Sequence, residues 1–128
     1  MIILVANDDG IQAEGLHRLA GALQEKGTVY VFAPDKQRSA SSHALSIHDI
    51  IEVKQTDFPE AELAFQLSGT PADCVKLGID ILKKKGLEPD IIYTGINHGA
   101  NLGTDTMYSG TVSAAAEGVF AGYPARCV

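Results

Sequence analysis

The residues that follow Met1, Ile2-Ile3-Leu4-Val5-Ala6, are apolar without a polar break. An alternating pattern would mark a strand with one wet face, whereas a continuous run marks a strand covered on both faces, as in a parallel sheet. Asn7-Asp8-Asp9-Gly10 ends the run. Leu16, Leu19, Ala20 and Leu23 then recur at helical spacing, and Gly27 stands where a C-terminal cap would close that helix. Residues 28–33 (TVYVFA) read as a second buried strand. The opening is therefore strand-helix-strand, with a right-handed connection expected.

From 34 to 43 the chain turns polar and serine-rich, which predicts a loop at the end of the second strand. Residues 45–53 and 63–67 read as two further strands, a hairpin set across the main sheet. Thr70-Pro71-Ala72-Asp73 predicts a helix start, with Thr70 as cap, Pro71 at the first helical position and Asp73 in the first turn, where negative charge is favoured. Ala72, Val75, Ile79 and Leu82 form its apolar stripe, and Lys83-Lys84-Lys85 ends it. Residues 90–96 (DIIYTGI) are another buried strand, 111–122 an alanine-rich helix, and 124–128 the start of a further strand. There is no internal repeat or linker. Strands alternating with helices imply a single α/β domain over residues 1–128 with a mainly parallel sheet. Ligands bind such sheets beyond the carboxyl ends of the strands. Three loops leave predicted strands there: Asn7 to Gly10, the serine loop after Ala33, and the loop after Ile96.

Composition narrows the chemistry. With 128 residues, 45% apolar and 20% charged, the chain suits one soluble domain with a core. Its net charge of -6 excludes a protein that grips nucleic-acid backbones, which takes many Lys and Arg. An acidic protein that handles an anionic substrate needs local positive charge, and a divalent cation can supply it. Four of the 13 glycines fall between Gly95 and Gly110, where a backbone could approach a ligand closely. Cys74 and Cys127 form no CxxC pair and are expected to be buried small hydrophobes. The apolar start is too short for a signal peptide or a membrane span, so a cytoplasmic protein with no membrane partner is expected.

Adjacent carboxylates directly after a buried strand repel each other unless a cation separates their charges. Asp8 and Asp9 therefore suggest a hard divalent metal, for which Asp, Asn, Ser and water are suitable ligands. The alternative is that one of them only caps the helix after Gly10. Asn97 and Asn101 add amide oxygens in a glycine-spaced loop that could equally be a structural turn. Ser109-Gly110-Thr111 opens a helix whose N–H groups could hold an anion, with a simple Ser or Thr cap as the plain alternative. Ser39, Ser41 and Ser42 could likewise be a solvated turn. Convergence of all four on one sheet edge is what favours a site. His17, His43, His48 and His98 show no metal-ligand spacing: His17 is expected on a helix surface, His43 and His48 are expected to flank a strand, and only His98 falls inside the suspected site. There is no GxxxxGK[ST] loop, no GxGxxG after the first strand, no HExxH and no GxSxG. The missing glycine fingerprint counts against a dinucleotide or nucleotide-sugar enzyme on a similar sheet.

Five ordered segments, ILVANDDG, APDKQRSA, SGTPADCVKLG, GINHGANLG and YSGTVSAAAEG, cover nearly the whole chain. Together they resemble the SurE (survival protein E) family of metal-dependent 5′/3′-nucleotidases. Ala6 departs from the Thr or Ser that many members carry. The resemblance implies a Rossmann-like three-layer α/β/α fold, with this chain as the N-terminal, active-site half and the usual C-terminal extension missing. It implies one divalent cation, Mg2+ or Mn2+, held by Asp8, Asp9, Ser39 and Asn97. It further implies substrate binding by Asn101, Ser109, Gly110 and Thr111, with His98 beside them, and catalysis by Asp8, Asp9 and Asn101. The implied substrates are nucleoside 5′- and 3′-monophosphates, with short polyphosphate for some members. Full-length relatives are implied to be homodimers or homotetramers. A shortened core that binds metal and phosphate without efficient turnover is the alternative reading.

Overall fold

A strand that is apolar on every residue needs cover on both faces, and helices on either side of the sheet supply it. The computed structural model describes residues 1–38 and 41–128. In chain order the elements are β1 (Ile2–Ala6), α1 (Glu14–Gln24), β2 (Thr28–Pro34), β3 (Val53–Thr56), β4 (Leu63–Leu67), α2 (Pro71–Lys84), β5 (Ile91–Thr94), a 3-10 turn (Gly103–Met107), α3 (Gly110–Phe120) and β6 (Ala125–Cys127). Among the described residues the strands form one six-stranded sheet in the order β3-β4-β2-β1-β5-β6. Every pairing is parallel except β3 with β4. The mainly parallel, three-layer α/β/α expectation therefore holds.

Alternate residues of the central strands feed two separate cores, because successive side chains leave a strand on opposite faces. Ile3, Val5, Val29 and Val31 pack with Leu16, Leu19, Ala20 and Leu23 of α1. Leu4, Ala6, Tyr30 and Phe32 pack with Cys74, Val75, Ile79 and Leu82 of α2 and with Ala114 of α3. Helix α2 comes so close that a Cβ on Gly78 would lie 2.8 Å from the Phe32 ring. Its start follows local sequence chemistry. The Thr70 hydroxyl accepts from Asp73 N–H, the Asp73 carboxylate accepts from Thr70 N–H, and Pro71 occupies the first turn.

Four expectations are corrected. Residues 45–51 form no strand, and Ile47 and Ile50 are 80% and 92% exposed, so their apolar spacing does not reflect burial. The strand instead begins at Val53, and the β3-β4 hairpin lies within the main sheet, with β4 beside β2. Gly27 does not close α1, which ends at Gln24 with Glu25 as its cap. The glycine is needed because the Met1 carbonyl, which accepts from Thr28 N–H, occupies the space a Cβ would take. Cys74 is buried, and burial pushes its thiol pKa up, but Cys127 lies on the edge strand β6 and is exposed. Finally, His43 and His48 do not flank a strand. His43 bonds Glu117 of α3 at 2.8 Å, while His17 on α1 bonds Glu60 at 2.9 Å and stacks on Phe58.

The topology places the site. After β1 the chain moves to one side through α1 and β2, and it later returns through α2 to β5 on the other side of β1. Two oppositely directed excursions leave a crevice at the carboxyl end of β1, the place where open α/β sheets bind ligands. Asp8 and Asp9 stand there. No helix among the described residues is long and apolar enough to cross a membrane.

Candidate metal and phosphate site

The turn after β1 is closed by Asn7, whose amide oxygen accepts from Gly10 N–H at 3.3 Å and whose amide nitrogen donates to Gly10 O at 2.9 Å. Gly10 has a φ of +102°, a left-handed conformation that suits glycine. Arg38 N–H donates to the Asp8 carbonyl at 2.7 Å, which ties the loop after β2 to this turn. Neither aspartate caps α1, whose N-cap is Ala13 without a side-chain bond.

The two carboxylates face different neighbours. Asp8 is buried and points at the start of α3, where Oδ2 accepts from Thr111 N–H at 3.2 Å and Oδ1 takes a short bond from the Thr111 hydroxyl. A carboxylate at this end of a helix is favoured by the helix dipole. Asp9 is more open, with Oδ1 accepting from the Gln37 amide at 3.3 Å and Oδ2 from His98 N–H at 3.0 Å. Asn97 Oδ1 lies 3.2 Å from the Thr111 hydroxyl, which already serves Asp8. A hydroxyl has one proton to donate, so two oxygens compete for it and one is left with a lone pair aimed at no proton. A cation beside them would answer that surplus of acceptors, and the all-oxygen donor set suits a hard metal.

Helix α3 is seated to receive Asp8. Ser109 caps it by accepting from Val112 N–H at 3.2 Å, and the Thr94 hydroxyl of β5 donates to Thr111 O at 2.8 Å. Gly110 is required by contact, because a Cβ there would lie 2.8 Å from both Asp8 Cβ and Ser41 Oγ. Thr111 N–H and Val112 N–H are thus engaged by Asp8 and Ser109. Gly110 itself is buried and does not border the basin, whereas Ser109 does.

Asp8, Asp9, Asn97, His98, Asn101 and Ser109 border one basin of about 310 Å³. The fold thus brings together every sequence-predicted residue that is described, with Gly110 and Thr111 forming the helix start behind Asp8. Ser39 lies outside the described residues. Asn97 also donates to Gly99 O at 2.8 Å, which shapes its loop. Sequence reasoning did not single out Gln37 or Asp105, although Gln37 touches Asp9 and Asp105 borders the basin, as does Tyr108 at the entry to the Ser109 turn. Gln37 lies within the segment APDKQRSA, so its place beside Ser39 was the available signal. Among the described residues no three His, Cys, Asp or Glu side chains gather as a metal-holding group. The cluster at Asp8 is two carboxylates and an amide, a set for a hard cation and not for zinc.

The family model described as "Survival protein SurE" matches residues 3–128. A "5'-nucleotidase SurE" of Pelotomaculum thermopropionicum is 51% identical over all of this chain and 49% of its own length. One from Synechococcus sp. (strain JA-3-3Ab) is also 51% identical, over all of this chain and 50% of its own. The crystal structure of the Sure protein from Aquifex aeolicus superposes with a TM-score of 0.86 at 39% identity, covering 98% of this chain and 49% of that one. The chain spans about half the length of the curated relatives it matches.

Proposed function

The chain belongs to the SurE family, and from that premise we propose that residues 1–128 form a nucleotidase core, a divalent-metal-dependent phosphomonoesterase. It hydrolyses nucleoside 5′- and 3′-monophosphates to nucleoside and phosphate. The observation that carries this reading is the gathering of Asp8 and Asn97 oxygens around one Thr111 hydroxyl, with Asp9 on the wall of the same basin, at the switch point of the sheet. Asp8, Asp9, Asn97 and Ser39 are the proposed ligands of Mg2+ or Mn2+. When bound, such an ion supplies charge neutralisation at the phosphate oxygens and orientation of the attacking water.

The chain's own groups do the rest. Asn101 and the Ser109-Gly110-Thr111 turn at the start of α3 hold the remaining phosphate oxygens, as fixed donors that need little reorganisation during reaction. One of the two carboxylates takes the proton lost by water as its oxygen bonds to phosphorus. The bond from phosphorus to the nucleoside oxygen breaks in line, and that oxygen takes a proton from solvent water as it leaves. No aspartyl-phosphate is required.

The test is a panel of 5′- and 3′-monophosphates and a short polyphosphate, each assayed with magnesium, with manganese and with a chelator. Phosphate release that depends on the metal and stops with the chelator is expected. Absence of release from every monophosphate in either metal would refute the reading. A second reading has one observation in its favour: the chain spans about half of its relatives. On that reading the core binds metal and phosphate without efficient turnover, and calorimetry would show cation binding while phosphatase activity stays at background.

Gly110→Ala probes the seating of Asp8 without touching a charge. Alanine is favoured over glycine in a helix by about 1 kcal/mol. Here, though, the new methyl must displace the Asp8 carboxylate or the start of α3, and overpacking of this kind costs about 1–3 kcal/mol. The expected outcome is a protein that still melts cooperatively and binds Mg2+ at least about tenfold more weakly, a shift of about 1.4 kcal/mol. Unchanged affinity by calorimetry would show that the helix start does not set the position of Asp8.

A further inference from the structure

A second cavity, of about 540 Å³, lies on the other side of Asp9 from the basin and shares Asp9, Asn97 and His98 with it. Of the described cavities it is the one that shares walls with the basin, and its size falls within the range of small-molecule sites. We propose that it holds the nucleoside part of the substrate and that Arg18 and Ala13 on its wall set the preference for a neutral, ring-bearing leaving group. This rests on the phosphatase reading above, because it is the phosphate in the basin that brings a nucleoside within reach.

The cavity is built by packing and not by a loose loop. The first turn of α1 lies directly against the segment after β5. Ile96 N–H donates to Gly15 O at 3.4 Å, and a side chain on Gly15 would collide with the Ile96 carbonyl. Glycine is therefore the residue that lets the two elements meet and form the cavity floor. Ile96, 39% exposed, offers an apolar surface beside Ala13. Sugar hydroxyls and base edges would find the Gln37 amide and the Arg18 guanidinium.

Charge decides the class of ligand. The cavity walls carry two carboxylates, Asp9 and Glu14, against one guanidinium, and Arg18 already donates to Glu14 at 2.6 and 2.9 Å. A chain of further phosphates would bring negative charge beside two carboxylates with no free cation on these walls. A nucleoside brings none. The same geometry therefore favours nucleoside monophosphates over polyphosphate.

The test compares adenosine 5′-monophosphate with methyl phosphate, which has the same reacting centre and no ring, in the wild-type chain and in Arg18→Ala and Ala13→Trp. Both substitutions are expected to lower kcat/KM for the nucleotide about tenfold while shifting the selectivity over methyl phosphate by a similar factor. Equal losses for both esters, or no loss for either, would overturn the assignment. Calorimetry with adenosine alone decides it independently of turnover: binding to wild type that weakens about tenfold in both variants supports it. Failure of wild type to bind adenosine, or unchanged binding in both variants, overturns it. Inactivity towards both esters together with Arg18-dependent adenosine binding would count against the phosphatase reading and leave the cavity assignment standing. Thermal melts confirm that each variant is folded, and Arg18→Ala, a truncation at an exposed helix position, keeps the test open where Ala13→Trp does not fold.

Discussion

Asp8→Asn is expected to lower turnover of nucleoside monophosphates about a thousandfold and to weaken divalent-cation binding in step, with the fold kept. The size follows from removing a charged group proposed as a ligand, whose cation would stabilise the transition state by several kcal/mol, with about 1.4 kcal/mol for each tenfold in rate. Retention of the fold follows from the neighbours of Asp8. Asparagine has the same shape, its oxygen can accept from Thr111 N–H in place of Oδ2, and its amide can donate to the Thr111 hydroxyl in place of Oδ1. Asp9→Asn should behave alike, because Gln37 and His98 N–H both meet Asp9 from outside the core. Metal titration and steady-state assays on the same preparations check the coupling. Wild-type turnover in either variant would remove that carboxylate from the mechanism. Lost turnover with undiminished cation affinity would leave it as a catalytic base that is not a ligand.

The largest loss of stability is expected at Asp73, far from the chemistry. Its carboxylate accepts from Thr70 N–H at 2.8 Å, Ser46 Oγ at 2.7 Å and Ser46 N–H at 3.1 Å, so it joins the start of α2 to the chain that descends from the serine loop. Asp73→Ala removes the N3 half of the capping box, leaves the Thr70 cap bond in place, and strands two half-buried backbone donors, Thr70 N–H and Ser46 N–H. Each stranded donor costs about 1 kcal/mol, so a loss of about 2 kcal/mol in urea denaturation is expected.

The loss should depend on pH with a defined sign. Burial alone would push the Asp73 carboxyl up, but hydrogen bonds from Thr70 and Ser46 outweigh it and hold its pKa below the usual Asp value. A depressed folded pKa stabilises the protein above the unfolded value of about 3.9, and that contribution is lost as pH falls through the folded pKa. The gap between wild type and Asp73→Ala should therefore be full at pH 7 and shrink in acid below about pH 4. A gap that stays constant into strong acid would show that the ionised form is not what the hydrogen bonds hold.

Elements whose signals are local could be read from the chain alone. Helix α2 begins where Thr70, Pro71 and Asp73 predict, because a cap, a prolyl φ and a first-turn carboxylate act within four residues. Strands β1 and β2 could be read because residues covered on both faces must be apolar throughout. Residues 45–51 misled for the converse reason: Leu45 and Ile47 show the alternate spacing of a strand but are exposed, and apolar spacing reports burial only where a partner exists. Gly27 misled because glycine serves close backbone approach as readily as a helix cap, and only the position of Met1 tells which.

The site divides in the same way. Residue types and their order in the sequence determined that oxygen-bearing side chains leave the sheet at a common edge, since strand ends and loop composition are local properties. Which oxygen meets which donor was decided by tertiary structure. Asp8 and Thr111 are 103 residues apart, and their bonds exist because β5 returns beside β1 and sets α3 with its first turn against the end of β1. The contact that makes Gly110 necessary and the cavity between α1 and Ile96 have the same origin. A chain pattern records how each residue is solvated, which is enough to predict strands, helices and the edge where a ligand binds. The facing of side chains across that edge depends on strand order and register, and these are settled only when both cores are packed at once.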